Sequence, residues 1–346
     1  MTQEYIGVDL HKSFFQACAV SATGERQWEG RFHRTAEGLA QFVARGVGVD
    51  QAVAVEASGP TWAFVDALTP TGARICVVDP RKTRLKAGMA AKTDRLDARR
   101  LADALRRESV VSIYVPPPAI RELREVCRGR HQLVRLRTRL AQMIRALLLR
   151  CDAGEPPGTR LYAPRALKWL SEVSLPPDAA TTLQRLEGLY RAVHTEAQAA
   201  EADLRQRAAT DPIARALDAL VGIGPVVALT LRAEIGDITR FRRGPALASY
   251  TGVVPRVDRS ADRVYHGRIT REGSPWLRWV LIEAARHAIK RQDATGRWAR
   301  RLAVRKGGAK AYVALARVLC NDIVATWPRT TEGPTSSPRA DDRERA

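Results

Sequence analysis

The stretch AKTDRLDARRLADAL, residues 91–105, places two aspartates three positions apart at the start of a strong helical pattern. Asp94 and Asp97 share one face of that helix, where like charges repel each other. One explanation is an exposed helix in which Asp94 caps the N-terminus and Asp97 forms an ion pair with Arg100 in solvent. The other explanation is a metal site that requires both carboxylates.

Two further acids lie at the ends of apolar, strand-like segments upstream of this helix. Asp9 is near the end of YIGVDL, residues 5–10, and Glu56 is near the end of QAVAVEAS, residues 51–58. A carboxylate on an apolar strand is costly unless something compensates its charge. If the fold gathers all four acids, each pair at ~4 Å repels by about 4 kcal/mol at an effective dielectric constant of about 20. A divalent cation removes that cost, and oxygen ligands select Mg²⁺ or Mn²⁺ over zinc.

The segments around these acids alternate between strand and helix patterns. Strands are expected at 5–10, 14–21, 26–33, 51–58 and 73–80, with helices beginning at Thr35, Pro60, Arg81 and Asp94. Three early strands followed by this alternation predict an α/β domain, a mixed sheet covered by helices. We expect this domain to span residues 1–115 and to end at the proline-rich VPPPAI.

The remainder of the chain is expected to be mostly helical. A pattern over 121–150 carries nine arginines, two glutamates and one apolar seam, and a second pattern runs over about 179–208. A coiled-coil arm at 116–210 and an ordinary helical bundle both fit these patterns. Residues 211–327 form a further, mostly helical region with one polar loop, and 328–346 read as a disordered tail.

The charge of the chain indicates a polyanionic partner. Its 346 residues include 57 lysines and arginines against 37 acids, a net charge of +20, which favours binding to nucleic acid. The five cysteines show no paired spacing, so they predict buried thiols in a reducing cytoplasm. Neither a membrane-spanning run nor a signal peptide is apparent, so we expect no membrane partner.

The motif GIGP, residues 222–225, lies between two helical patterns and has the form of a helix-hairpin-helix. Gly222 and Gly224 permit a tight turn, and Pro225 suits the first turn of the second helix. Free amides at that helix start would contact a DNA phosphate without reading sequence. A plain helical hairpin in the core is the alternative.

Ser260 lies in a polar stretch that also holds Arg256, Arg259 and Arg263. The residue types alone favour a solvated serine or a phosphate contact over a nucleophile. Ser274 is better explained as the N-cap of the helix that follows it.

Taken in order, YIGVDLHK, VEASG, KTDRLDARRLA, GIGP and YTGVVPRVDRS resemble the bridge-RNA-guided DEDD transposases of the insertion-sequence one-ten family. Piv-type DNA invertases are relatives of that family. The resemblance runs from about residue 5 to about residue 325. It implies an RNase H-like (RuvC-like) catalytic domain, a coiled-coil arm and a C-terminal transposase domain. The implied activity is a recombinase that cuts and rejoins DNA for insertion-sequence mobility.

The resemblance also implies roles for individual residues. The metal ligands of the DEDD motif would be Asp9, Glu56, Asp94 and Asp97, holding Mg²⁺ or Mn²⁺. Ser260, five residues after Pro255, matches the nucleophilic serine that forms a covalent link to DNA. The family usually has glycine after this serine, and here Ala261 follows. Because Ser260 and the carboxylates fall in different predicted domains, the resemblance requires a composite site, formed by domain closure or between subunits.

The partners implied are double-stranded DNA, at the element ends and at the target, and a structured guide RNA. The RNA would be held by the helix at 121–150 and by Lys82, Lys86 and Lys92, although a solvated basic face is the alternative. We expect a homo-oligomer, dimer or tetramer, in the bacterial cytoplasm at the nucleoid.

Two other functions remain open on the residues alone. A metal-only nuclease or junction resolvase would cut by hydrolysis, and a nucleic-acid-binding protein without catalysis would need none of the carboxylates. An actin-like kinase also begins with a motif like IGVDLHK, but the later glycine-rich nucleotide loops of that class are missing from the sequence.

Overall fold

The computed structural model describes residues 4–79, 83, 94–158, 160–260 and 263–327, with the backbone alone for 257–260 and 263–266. The chain divides into two compact units, one over residues 1–115 and one that begins at Pro116. Among the described helices, none combines the length and the apolar character needed to cross a membrane.

The first unit is built on a mixed sheet of five strands in the order β3-β2-β1-β4-β5. The strands are β1 (Tyr5–Leu10), β2 (Phe14–Val20), β3 (Arg26–His33), β4 (Ala52–Glu56) and β5 (Arg74–Val78). β1, β2 and β3 are antiparallel neighbours, whereas β4 and β5 run parallel to β1. The five strands expected from the sequence are therefore confirmed, and the architecture is compatible with an RNase H-like domain.

One face of this sheet is covered by α1 (Ala36–Val43) and α2 (Thr61–Leu68). The even-numbered side chains of β1, such as Ile6 and Val8, pack there against Phe42 and Phe64. The predicted cap of α1 is present, since the side chain of Thr35 accepts a hydrogen bond from the third amide of the helix.

The opposite face is covered by α3 (Asp94–Arg106). Its buried Leu101 and Leu105 pack on the small side chains of Ala52 and Ala54 in β4. At Gly7 the helix lies so close that an added Cβ would be 2.1 Å from the carbonyl oxygen of Ala98. Glycine at this position therefore permits the close approach of α3 to β1.

The second unit opens with α4 (Pro118–Arg150), α5 (Pro164–Glu172) and α6 (Pro177–Thr210). α4 and α6 run antiparallel, because Arg130 bonds to Glu201 at 2.6 Å while Arg137 contacts His194 at 3.2 Å. Both long helices were predicted from their apolar seams, whereas α5 was not. Leu140, Ile144 and Leu147 of the α4 seam are buried with side chains of α6.

The remaining helices surround the largest apolar core of the described chain. They are α7 (Pro212–Asp218), α8 (Pro225–Ile235), α9 (Gly244–Thr251), α10 (Pro275–Ala288), α11 (Ala294–Lys306) and α12 (Gly308–Thr326). Between α9 and α10 lie two antiparallel strands, β6 (Pro255–Ser260) and β7 (Arg263–Ile269). The expectation of a polar loop here is wrong, because a two-stranded ribbon is held by backbone pairing and needs no apolar alternation to signal it.

Candidate metal centre

Asp9 and Glu56 lie side by side at the carboxyl ends of two parallel strands. β1 and β4 are in register as far as Val8 opposite Val55, so Asp9 and Glu56 are the next residue on each strand. Neighbouring strands are ~4.8 Å apart and alternate residues share a face. Both acids therefore fall on the face that carries Gly7 and is covered by α3.

The start of α3 brings the aspartate pair to the same edge of the sheet. His11, just past the end of β1, links the two groups, since its Nε2 lies 3.2 Å from Asp9 Oδ2 and 3.4 Å from Asp94 Oδ2. One ligand atom from each of these three residues lies within 4.8 Å of the other two. The arrangement gathers donors suited to a divalent cation.

The electrostatics of Asp9 reflect this crowding. Burial raises the pKa of the Asp9 carboxyl, His11 lowers it in part, and the negative charges of Asp94 and Asp97 raise it further. Asp97 is therefore close enough to act on Asp9, although its own carboxylate is paired with Arg100 at 3.3 Å. A cation between the carboxylates would remove the repulsion that raises the pKa of Asp9.

The exposed-helix explanation accounts for part of this arrangement. It predicted an ion pair between Asp97 and Arg100 in solvent, and the pair is present but partly buried. It offers no reason for Asp94, at the start of α3, to face a histidine and a second aspartate from the end of β1. The metal-site explanation accounts for this position of Asp94.

An orphaned polar atom tests whether a metal fits these residues. Nε2 of His11 is buried and faces two carboxylate oxygens within 3.4 Å, but its geometry toward them is not that of a well-formed hydrogen bond. A buried nitrogen that is poorly bonded is costly, and a metal ion satisfies imidazole and carboxylate together. The residues present therefore fit a divalent ion.

His11 is not among the metal ligands expected from the sequence. The available signal was its position two residues after Asp9, immediately beyond the end of an apolar strand. That position alone does not show where the ring points, because a turn and a ring stack set its direction.

Ser260 is the last residue of β6, where its backbone pairs with Arg263 of β7. The structure describes only the backbone of Ser260, Arg259 and Arg263, and Ala261 lies outside the described residues. Arg256, on the same strand, is exposed. Ser274 is the N-cap of α10 as predicted, with its hydroxyl accepting from the amide of Leu277 at 3.2 Å.

The GIGP turn joins α7 to α8. Gly222 has φ of +93°, and an added Cβ would lie 2.6 Å from the carbonyl oxygen of Ala284 in α10. Packing and the turn thus explain Gly222 without any ligand. Gly224 caps α8 and is exposed, with open space around it. The phosphate contact predicted for this turn stays a prediction.

The three lysines predicted to bind nucleic acid, Lys82, Lys86 and Lys92, lie outside the described residues, and so does the tail at 328–346.

The sheet and its edge of carboxylates are compatible with the RNase H-like class of metal-dependent enzymes that act on phosphodiesters. Comparison with known families agrees. Residues 6–151 match the model of a transposase family, the DEDD transposases of IS110. Residues 214–300 match the model of a second transposase family, IS116/IS110/IS902. The chain belongs to the IS110 family of transposases and is a DNA transposase.

Proteins that are similar to this chain are also named as transposases of insertion sequence elements. The chain is 28% identical over 322 residues to the transposase for insertion sequence element IS1111A of Coxiella burnetii, covering 90% of this chain and 86% of that protein. It is 26% identical over 338 residues to the transposase for IS1328 of Yersinia enterocolitica, covering 96% and 98%. The likeness thus extends over both units of the chain.

Proposed function

We propose that this transposase cuts and rejoins DNA with divalent metal held by four acids and with Ser260 as the nucleophile. The ligands would be Asp9, Glu56, Asp94 and Asp97, binding Mg²⁺ or Mn²⁺. The observation that carries the proposal is the convergence of strand-end acids and the start of α3 on one edge of the sheet. It is supported by the DEDD family match, which includes all four acids.

In the proposed reaction, Oγ of Ser260 bonds to a DNA phosphorus and the bond from that phosphorus to a deoxyribose oxygen breaks. The proton of the serine hydroxyl passes to solvent or to a nearby base, and the released oxygen takes up a proton. The phosphoserine link conserves the bond energy, so the reverse attack by a DNA hydroxyl rejoins a strand without a further energy source. The bound metal would neutralise charge on the phosphate oxygens.

A guide RNA is the partner that we propose because of the resemblance to the family. Some arginines of α4 bond within the protein, and others on the same helix are exposed. Arg124 and Arg128 bond to the end of α8, and Arg130 bonds to Glu201 of α6, so these three stabilise the unit itself. Arg135 and Arg139 are exposed on the same helix. The exposed set is available to RNA phosphates.

The test of the serine is a denaturing gel on which a labelled plasmid fragment, carrying the gene and its flanking DNA, migrates with covalently bound protein. We expect the adduct to disappear in Ser260→Ala and in Asp9→Asn. The matched control is Ser249→Ala, which removes an exposed hydroxyl from α9 of the same unit.

The alternatives give different results in that experiment. Cleavage without any protein-linked band, unchanged in Ser260→Ala, would establish a hydrolytic nuclease. Full activity in Asp9→Asn would show that the carboxylates do not catalyse, and would overturn the metal proposal as well.

A further inference from the structure

The geometry points to His11 as a nitrogen ligand of the metal centre, which makes the site selective for Mn²⁺ over Mg²⁺. This inference rests on the proposed function, because it concerns the same ion, and it adds a residue outside the four acids. Three independent features of His11 support it: its distances to the carboxylates, the fixed orientation of its ring and the chemistry of imidazole.

The distances resemble those within a coordination shell. With metal–ligand bonds of ~2.0–2.2 Å, adjacent ligand atoms of an octahedral ion lie about 3 Å apart and opposite ones about 4.3 Å apart. His11 Nε2 is 3.2 Å from Asp9 and 3.4 Å from Asp94, and all three donor atoms fall within 4.8 Å. A contraction of a few tenths of an ångström would therefore place one ion within bonding distance of all three.

The direction of the ring is set by groups other than the carboxylates. The imidazole stacks on Phe14 with ring centroids 4.5 Å apart, and the guanidinium of Arg31 lies 3.6 Å from the centroid of that phenyl ring. The backbone amide of His11 also donates to the carbonyl of Phe14 at 3.0 Å, which closes the turn after β1. Nε2 is thus held against the two carboxylates without well-formed hydrogen-bond geometry to either of them.

The chemistry of the donor set then changes the expected metal. Carboxylates alone accept Mg²⁺ as readily as Mn²⁺, because both ions bind hard oxygen ligands. An imidazole nitrogen suits first-row transition ions and is a poor ligand for Mg²⁺, which keeps oxygen ligands and dehydrates reluctantly. The oxygen-only set expected from the sequence becomes a mixed set of nitrogen and oxygen, which raises the affinity for Mn²⁺ relative to that for Mg²⁺.

The experiment uses the full-length protein, freed of metal with EDTA and then loaded with Mn²⁺ alone. Pulsed electron paramagnetic resonance of the bound Mn²⁺ is expected to show coupling to a ¹⁴N nucleus. The coupling changes to that of ¹⁵N when the protein contains ¹⁵N-labelled histidine, which identifies the ligand type without any mutation. It disappears in His11→Ala and persists in His33→Ala, the control at an exposed histidine of the same unit.

Affinity gives a second readout. Titration of free Mn²⁺ is expected to show a rise in Kd of at least about tenfold in His11→Ala, with a smaller change for Mg²⁺ measured by competition. In the His33→Ala control both constants stay as in the unmodified protein.

The outcomes separate this inference from the proposed function. If Mn²⁺ binds the unmodified protein, is lost in Asp9→Asn and shows no nitrogen coupling, then His11 is not a ligand while the carboxylate site stands. If Mn²⁺ fails to bind, or binds equally to Asp9→Asn, both the inference and the metal proposal are overturned. Because the isotope experiment needs no variant, it still tests for a histidine ligand if the His11→Ala protein fails to fold, and His11 is the histidine that lies with Asp9 and Asp94 among the described residues.

Discussion

At the scale of single residues, Asp9 is the acid of the candidate metal centre whose pKa is shifted by its surroundings. Burial and the charges of Asp94 and Asp97 raise its pKa above the value in the unfolded chain, with His11 offsetting part of the rise. The folded state therefore binds a proton at Asp9 more tightly than the unfolded state does. The contribution of this proton to stability is present below the unfolded pKa and is lost as pH rises through the folded pKa.

It follows that Asp9→Asn should stabilise the metal-free protein at neutral pH. The amide removes a carboxylate that is ionised at a cost, and we expect a gain of up to about 1 kcal/mol in the free energy of unfolding. The gain should shrink as pH falls through the raised pKa of Asp9. Thermal melts in EDTA across this pH range measure it, with the exposed Asp50→Asn as the control. A lower melting temperature in Asp9→Asn would show that Asp9 is stabilising as an anion.

The cysteines allow a second prediction at this scale. Burial raises the pKa of the Cys127 thiol to about 11 and that of Cys320 to about 12. Cys18 and Cys76 are also buried, and Cys151 is partly exposed. Because the thiolate is the reactive species, Cys151 should be alkylated first by iodoacetamide in the native protein at about pH 8. Peptide mass spectrometry measures the order, and early modification of Cys320 would contradict the burial of α12.

At the scale of elements, the proposed metal centre requires the close packing of α3 on β1, because Asp94 lies on α3 and Asp9 on β1. We predict that Gly7→Ala destabilises the protein by about 1–3 kcal/mol, since its Cβ would lie 2.1 Å from the Ala98 carbonyl oxygen and 2.4 Å from the Ala102 nitrogen. A shifted α3 would also move Asp94 away from Asp9 and weaken Mn²⁺ binding.

Chemical denaturation and Mn²⁺ titration measure the two effects. Gly59→Ala is the matched control, because a Cβ there would meet nothing within 4 Å. Equal Mn²⁺ affinity in Gly7→Ala and in the unmodified protein would show that the site does not depend on this helix contact.

Some elements of this structure could be predicted from the sequence and others could not. The five strands and α3 follow from apolar runs and helical periodicity, and the acids stood out because charge is costly on an apolar strand. β6 and β7 could not be read, since a two-stranded ribbon of mixed polar residues carries no period-two signal. His11 could not be read either, because its place beside Asp94 depends on a tertiary stack with Phe14.

At the scale of the whole molecule, basic residues outnumber acidic ones by 57 to 37. This excess of positive charge favours the binding of the transposase to DNA. Some of the basic residues are paired within the protein, as Arg128 is with Glu234, whose side chain is only 1% exposed. Exposed arginines such as Arg135 and Arg256 remain for phosphates. Because such internal pairs cancel in the sum, the net charge of +20 measures the basic groups in excess of the acids.

We predict that affinity for duplex DNA of unrelated sequence depends steeply on salt, because each phosphate contact releases a condensed counterion. With about 6–10 contacts, the slope of log K against log salt concentration is about −5 to −9, a loss of about 10³–10⁵ in affinity between ~50 and ~200 mM. Fluorescence anisotropy at several salt concentrations measures the slope, and Arg135→Glu should make it shallower, whereas Asp50→Asn should not. A slope near zero would mean that the positive charge is neutralised within the protein and that DNA is held by other contacts.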